Sequence, residues 1–273
     1  MKKFLILGCG NMAQALTLGF HQREKNPSFS FFFYTPSGVK AKFLAEKTGG
    51  LQITELKELS QYDFVMIACK PQQFKELSIS LQGKLSPQSV VVSIMAGISV
   101  EGLKRDLGHS KIIRVMPNTP SLIGEGSNLV YYSKEILSQE KLDLEHFLKA
   151  EFAPHVFQNE EQVNQVTGVI ASGPAYVFEF ARIMVDYLQI QCQISSSESN
   201  LLVKELFLGS AHLMMNSETS LEELRNQVTS KGGVTFAALE SFRQAKLSGI
   251  FSDAFQKAYE RNKELSEANF ASK

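Results

Sequence analysis

The sequence predicts an α/β domain followed by an all-helical one. Two observations carry that expectation. Over the first half, short β-branched runs bounded by turn residues alternate with stretches of helical spacing. After about residue 158 no convincing strand remains. Strand alternating with helix implies a doubly wound, parallel sheet covered on both faces, whose strands read as near-continuous apolar runs.

Taken in order, "KKFLILG" is the first strand and "NMAQALTLGFHQ" the helix after it. "FSFFFYT" is the second strand, and "GVKAKFLAEKTG" a helix that stops at Gly49. "DFVMIACK" is the third strand, with a helix opening at Pro71, a normal first helical position. "SVVVSIMAG" is the fourth, followed by a helix from Val100 to Leu107. "KIIRVMP" and "SNLVYYS" are further strands joined by a loop rich in Pro, Asn and Gly, and "APHVFQ" reads as a last edge strand. Beyond it come one or two helices at 160–170, then a long one from Pro174 to about Gln191. Ser172 suits the N-cap of that long helix and Pro174 its first turn. Another helix runs from Ser195 to about Asn216, with serines placed to cap it, and three shorter ones follow. The expected domains are 1–158 and 159–273, with no flexible linker and a frayed tail after Glu267.

Composition excludes several classes of function. The 273 residues are 44% hydrophobic and 21% charged, as in an ordinary globular protein. Lys plus Arg and Asp plus Glu number 28 each, which leaves no electrostatic footprint for nucleic acid or an anionic membrane surface. No run of 18 apolar residues occurs, and the N-terminal run ends in Gly-Cys-Gly without a cleavage region. Cys9, Cys69 and Cys192 are far apart and odd in number, which fits a reduced, cytoplasmic setting. His21, His109, His146, His155 and His212 show no metal-ligand spacing, and neither a G-x-S-x-G elbow nor a P-loop is present.

"LILGCGNMAQAL" places Gly8, Gly10 and Ala13 in a G-x-G-x-x-A arrangement between a strand and a helix. In that context the residues Gly8, Gly10, Asn11 and Met12 form a Rossmann-type dinucleotide turn, with the pyrophosphate at the helix N-terminus. The second strand ends "FYTPSGVK", with no acid from Ser28 to Lys42 to hold a ribose 2′-hydroxyl. Thr35 and Ser37 can donate hydrogen bonds there and Lys40 a charge-assisted one, which tilts the choice toward NADPH over NADH; the plain alternative is that Lys40 is a solvated helix residue. Ala68, Lys70 and Pro71 in "ACKPQQF" lie at the carboxyl end of the third strand, where open sheets bind ligands. Asn118 and Pro120 lie in "RVMPNTPSLIGEG", a loop stiff enough to keep a shape beside a nicotinamide ring. "VTSKGGVTFAAL" puts Gly232 and Gly233 between two helical patterns, with Thr229, Ser230 and Thr235 around them. It is either a plain connector or a polar cradle at a helix N-terminus.

Together "GCGNMAQAL", "ACKPQ", "SIMAGIS", "RVMPNTPSLIGEG", "VTGVIASGPAYVFEF" and "LRNQVTSKGGVTFAALESF" resemble the pyrroline-5-carboxylate reductase family over most of the chain. The resemblance implies a Rossmann-type domain followed by a helical dimerisation domain, a homodimer that can assemble into a larger ring, and reduction of 1-pyrroline-5-carboxylate to L-proline. It also implies that Ser230, Gly232, Gly233, Val234 and Thr235 hold the substrate, with the Thr235 hydroxyl at the ring nitrogen. Three positions depart from the family pattern: Lys231 stands where proline is usual, Ala171 where Gly or a small polar residue is common, and Thr35-Pro36-Ser37 where Asn-Arg-Ser/Thr is usual. A β-hydroxyacid dehydrogenase of similar layout needs a lysine early in its second domain, and none occurs between Lys149 and Lys204. A non-catalytic dinucleotide-binding relative is the remaining alternative.

Overall fold

The strand Lys2–Leu7 (β1) turns Phe4 and Ile6 to one face of a sheet and Leu5 and Leu7 to the other, and all four are fully buried. That alternation is what a two-residue period requires of a strand covered on both sides. The computed structural model describes residues 1–24, 28–149 and 152–271, with side chains as far as Glu267. The elements that follow β1 are helix Asn11–Arg23 (α1), strand Phe29–Tyr34 (β2), helix Val39–Thr48 (α2), strand Leu51–Gln52 (β3) and strand Phe64–Ile67 (β4). Next come helix Pro71–Leu81 (α3), strand Val90–Ser93 (β5), helix Val100–Leu107 (α4) and strand Ile112–Pro117 (β6). Strand Asn128–Tyr132 (β7), helix Ser138–Leu148 (α5) and strand His155–Val156 (β8) complete the sheet region.

Among the described residues eight strands lie in the order β3-β2-β1-β4-β5-β6-β7-β8. The first six positions follow the doubly wound dinucleotide-binding order, with its reversal between β1 and β4. On one face Phe4, Phe20, Phe29, Phe31, Phe64 and Phe147 form a cluster of rings, Phe4 lying 4.9 Å from Phe147 and 5.4 Å from Phe64 by centroid. On the other, Leu5, Leu7, Val65, Ile67 and Val91 pack under α3 and α4 with Phe74 and Leu103.

Two elements add to the expected ones, and one strand corrects the expected parallel sheet. β3 and α5 were not read from the sequence, and β7 pairs antiparallel to β6, Val115 facing Val130. Parallel neighbours need a crossover of a dozen or more residues. The stretch 118–127 is shorter than that and holds only the short 3-10 helix Thr119–Ile123, so the chain returns directly. β8 then pairs parallel to β7 at the edge.

The helices of the second half are Glu160–Val166 (α6), Gly173–Ile190 (α7), Ser196–Asn216 (α8), Leu221–Gln227 (α9), Val234–Gln244 (α10) and Leu247–Ala271 (α11). Ser172 is not an N-cap: a π-helical turn, Thr167–Ala171, joins α6 to α7, and the Ser172 N–H donates to the Thr167 carbonyl at 3.2 Å. The last helix is the longest rather than a short one, since after Gly249 its sequence offers no breaker. The tail expected to fray is helical as far as Ala271, and its last two residues lie outside the described residues.

Compactness divides the chain differently from the position where strands cease. One unit is Met1–Ser172 with Ala258–Lys273, and the other is Gly173–Lys257. Val163 of α6 is fully buried against Met116 and Leu129, which ties 160–171 to the sheet. The second unit leaves much apolar surface open. Among the described residues α7 buries none fully, and Phe178, Tyr187 and Ile190 are more than half exposed. By length and composition alone, the helical stretch 160–190 could cross a membrane, although no run of 18 consecutive apolar residues occurs in it.

Candidate functional site

The first group of candidate residues lies along the carboxyl ends of adjacent strands. Gly8 follows β1 with φ +97°, a conformation that L side chains rarely adopt. A Cβ there would sit 2.7 Å from the backbone of Ala68 and Cys69, so the β1–α1 and β4–α3 turns touch only because Gly8 has none. Gly10 is the N-cap of α1 at φ −70°, in ordinary extended backbone, and a Cβ on it would meet nothing within 4 Å. The room beside Gly10 is therefore left by the fold and not consumed by it. Ala13, 1% exposed, seats the helix on the sheet, while Asn11 is exposed and Met12 half-buried at the start of α1. No side chain caps α1, so its leading N–H groups and its positive dipole end face that room.

At the end of β2, the Thr35 hydroxyl is buried and has no hydrogen-bond partner among the described residues. Buried hydroxyls are almost always bonded, so this orphan at the carboxyl end of β2 is available to a ligand oxygen. Ser37 and Lys40 are exposed beside it. Gly38 is left-handed at φ +73°, with its carbonyl accepting from Gln52 Nε2 at 3.2 Å. These observations fit a dinucleotide: an open cradle at Gly10, an uncapped helix end and an unpartnered hydroxyl at Thr35.

Ala68 and Pro71 are half-buried and Lys70 exposed at the end of β4. The Lys70 N–H donates to Gln73 Oε1 at 3.2 Å, which closes the first turn of α3. Cys9 and Cys69 flank this edge as inert thiols. Burial pushes Cys9 up to about 12 and Cys69 up to about 11. Asn118 is buried and engaged by structure: its Oδ1 accepts the Ser127 N–H at 2.8 Å and its Nδ2 donates to the Ile170 carbonyl at 3.3 Å. It fixes the loop that carries Pro120, itself half-buried in the 3-10 helix. Sequence reading missed the carboxyl end of β5 as part of this edge, and missed Arg114, which lies fully buried in β6. A lone arginine in an otherwise apolar strand was the signal for the second.

The second group lies in the other compact unit, between α9 and α10. The Gly233 N–H donates to the Ser230 carbonyl at 2.9 Å, closing a turn over Lys231 and Gly232. Gly232, at φ +73°, takes the position that demands glycine when a turn goes left-handed there. A Cβ on Gly233 would lie 2.3 Å from Ser230 Oγ, so the serine hydroxyl folds over bare backbone. Gly233 is the N-cap of α10, and the first helical bond is donated by Ala237 to the Gly233 carbonyl at 3.1 Å. The N–H groups of Val234, Thr235 and Phe236 thus have no intrahelical acceptor. Ser230, Gly232, Val234 and Thr235 are exposed in the single chain, as is Lys231. The loop is a polar helix N-terminus and not a bare connector.

Residues 160–265 match the family described as pyrroline-5-carboxylate reductase dimerisation, and residues 3–97 match NADP oxidoreductase, coenzyme F420-dependent. A pyrroline-5-carboxylate reductase from Pasteurella multocida is 32% identical over 274 residues, covering 97% of this chain and 98% of that relative. A pyrroline-5-carboxylate reductase structure from Coxiella burnetii superposes with a TM-score of 0.84 at 27% identity, over 96% of this chain and 98% of that one. A Plasmodium falciparum pyrroline carboxylate reductase with NADP bound gives a TM-score of 0.84 at 25% identity, over 97% and 98%. With nearly its whole length so matched, the chain belongs to the pyrroline-5-carboxylate reductase family.

Proposed function

We propose that the chain reduces 1-pyrroline-5-carboxylate to L-proline, with NADPH preferred over NADH, and that the α9–α10 loop holds the imine acid. The observation that carries the reading is the open end of α10, with three N–H groups free of helical acceptors in a member of this family. The substrate is a small ring bearing a carboxylate. A helix N-terminus favours such an anion by about 0.3–2 kcal/mol, and Gly232 and Gly233 let it approach without a side chain in the way. Val234 and Thr235 offer backbone donors to the carboxylate, with Ser230 beside them. The Thr235 hydroxyl oxygen then accepts the N–H of the protonated imine and fixes the ring's orientation. Lys231 adds long-range attraction for the acid.

Gly8, Gly10, Asn11 and Met12 would hold the dinucleotide pyrophosphate, and Thr35, Ser37 and Lys40 the 2′-phosphate. Ala68, Lys70, Pro71, Asn118 and Pro120 would line the path toward the nicotinamide, directly or by shaping its loops. When bound, the reduced nicotinamide supplies a hydride to the imine carbon. A protonated imine is already electrophilic, so the protein's work is placement of two rings and not proton donation. The assembly proposed is a homodimer, with dimers closing into a ring, in the cytoplasm.

The test is the purified chain with the imine acid and either reduced cofactor. Imine-dependent oxidation of both is expected, with the higher kcat/KM for NADPH. No imine-dependent oxidation of either cofactor overturns the reading. Thr235→Val keeps the shape and deletes the hydroxyl. It should lower kcat/KM for the imine about 10- to 100-fold, the equivalent of about 1–3 kcal/mol, with cofactor KM unchanged.

A further inference from the structure

The loop from Ile94 to Ser99 leaves β5 at the same sheet edge as the Gly8 and Ala68 turns, since β5 is parallel to β4 and β4 to β1. Its exposed point is Ala96, between buried Met95 and buried Gly97. Two contacts fix this loop from behind. At its end, the Glu160 carboxylate accepts the Val100 N–H at 2.9 and 3.1 Å, at the first residue of α4. At its middle, Gly97 is left-handed at φ +68°, and a Cβ there would lie 2.9 Å from Leu265 Cβ. Leu265 belongs to the last turns of α11, so that part of the helix is pressed on the Ile94–Ser99 loop.

Those last turns are held by a polar ladder. Arg114 Nη1, fully buried, donates to Glu160 Oε1 at 2.7 Å and to Asn164 Oδ1 at 2.8 Å. Asn262 Nδ2 reaches the same Asn164 oxygen at 3.5 Å. The Tyr259 hydroxyl donates to Glu161, and that bond, with a second from Asn164, holds the Glu161 carboxyl below its usual range. Glu160 and Glu161 are adjacent, so one turn of α6 grips the sheet with the first and α11 with the second.

We propose that Tyr259, Asn262 and Leu265 are positioning residues for the cofactor: the last turns of α11 hold the Ile94–Ser99 loop in the form a bound dinucleotide meets. The proposal rests on the reading that a dinucleotide lies along this edge, and it assigns those residues no contact with substrate. A ligand gains affinity when the loop it meets is already ordered, so loosening the brace shows as weaker cofactor binding.

The experiment uses the full chain with Leu265→Ala and, separately, Tyr259→Phe, the latter a surface change that leaves the core intact. NADPH binding is titrated by nicotinamide fluorescence without imine, and KM for each substrate is measured with it. Leu265→Ala should weaken NADPH about fivefold to tenfold, Tyr259→Phe should weaken it by a smaller factor, and KM for the imine should stay within about twofold in both. Unchanged NADPH affinity in Leu265→Ala overturns the proposal. So does an equal rise in both KM values, which marks general damage. If the wild type binds NADPH but never turns over the imine, the reductase reading fails while weaker binding in Leu265→Ala still supports the brace.

Discussion

Gly8 and Gly10 stand two residues apart in one motif and do different work. Gly8 is needed by the fold: its φ of +97° and the 2.7 Å approach to Ala68 leave no place for a methyl group. Gly10 has ordinary backbone angles and open space, so the fold itself does not demand glycine there. Gly8→Ala should therefore destabilise the protein by about 1–3 kcal/mol through strain and forced separation of the two turns. Gly10→Ala should change stability by less than about 1 kcal/mol and still weaken NADPH markedly. Thermal melts and cofactor titrations on the two variants check the contrast. If Gly10→Ala bound cofactor like the wild type, the cradle would be misassigned.

Among elements, those whose burial repeats a simple period were legible in the sequence. β4 is a uniform apolar run, β1 and β5 carry runs of four and three apolar residues, and α4 lies at Val100–Leu107 as its pattern implies. β3 was not legible because it is two residues long, Leu51 exposed, and exists only through pairing with Phe32 and Phe33. α5 buries only Leu144, Phe147 and Leu148, near its end, while Leu142 of the same helix stays exposed, so its apolar period is faint. At Ser172-Gly-Pro the local helix-start signal was overruled by continuity through the π turn. The dinucleotide turn could be read from spacing, because its glycines act locally. The ladder around Arg114 could not, since it joins β6, α6 and α11 across about 150 residues of chain. Its energetics belong to this scale. Removing one partner of a buried pair leaves the other charge stranded. Glu160→Ala strands Arg114 and removes the acceptor of the Val100 N–H, and should cost about 3–5 kcal/mol in denaturant melts. A loss under about 1 kcal/mol would mean the pair is not closed in solution.

At the scale of the whole molecule, the second compact unit carries more apolar surface than one copy can use. Phe178, Tyr187, Leu208 and Met215 are each more than half exposed, and large exposed apolar surface marks interfaces. The match of residues 160–265 to a dimerisation family gives the occupant as a second copy. Phe178→Glu should shift the protein toward monomer in sedimentation velocity and lower its thermal midpoint, because the exposed helices lose the burial that dimerisation supplies. A wild-type chain sedimenting as a monomer at micromolar concentration would contradict that account.

The central claim is that the glycine-rich amino end of α10 receives the carboxylate of the small ring. A crystal structure of the protein with NADP and L-proline bound tests it most directly. The account predicts the proline carboxylate within hydrogen-bond distance of the N–H groups of residues 233–235, its ring nitrogen at the Thr235 hydroxyl, and the nicotinamide facing the ring carbon. Proline bound away from residues 230–235 would contradict it.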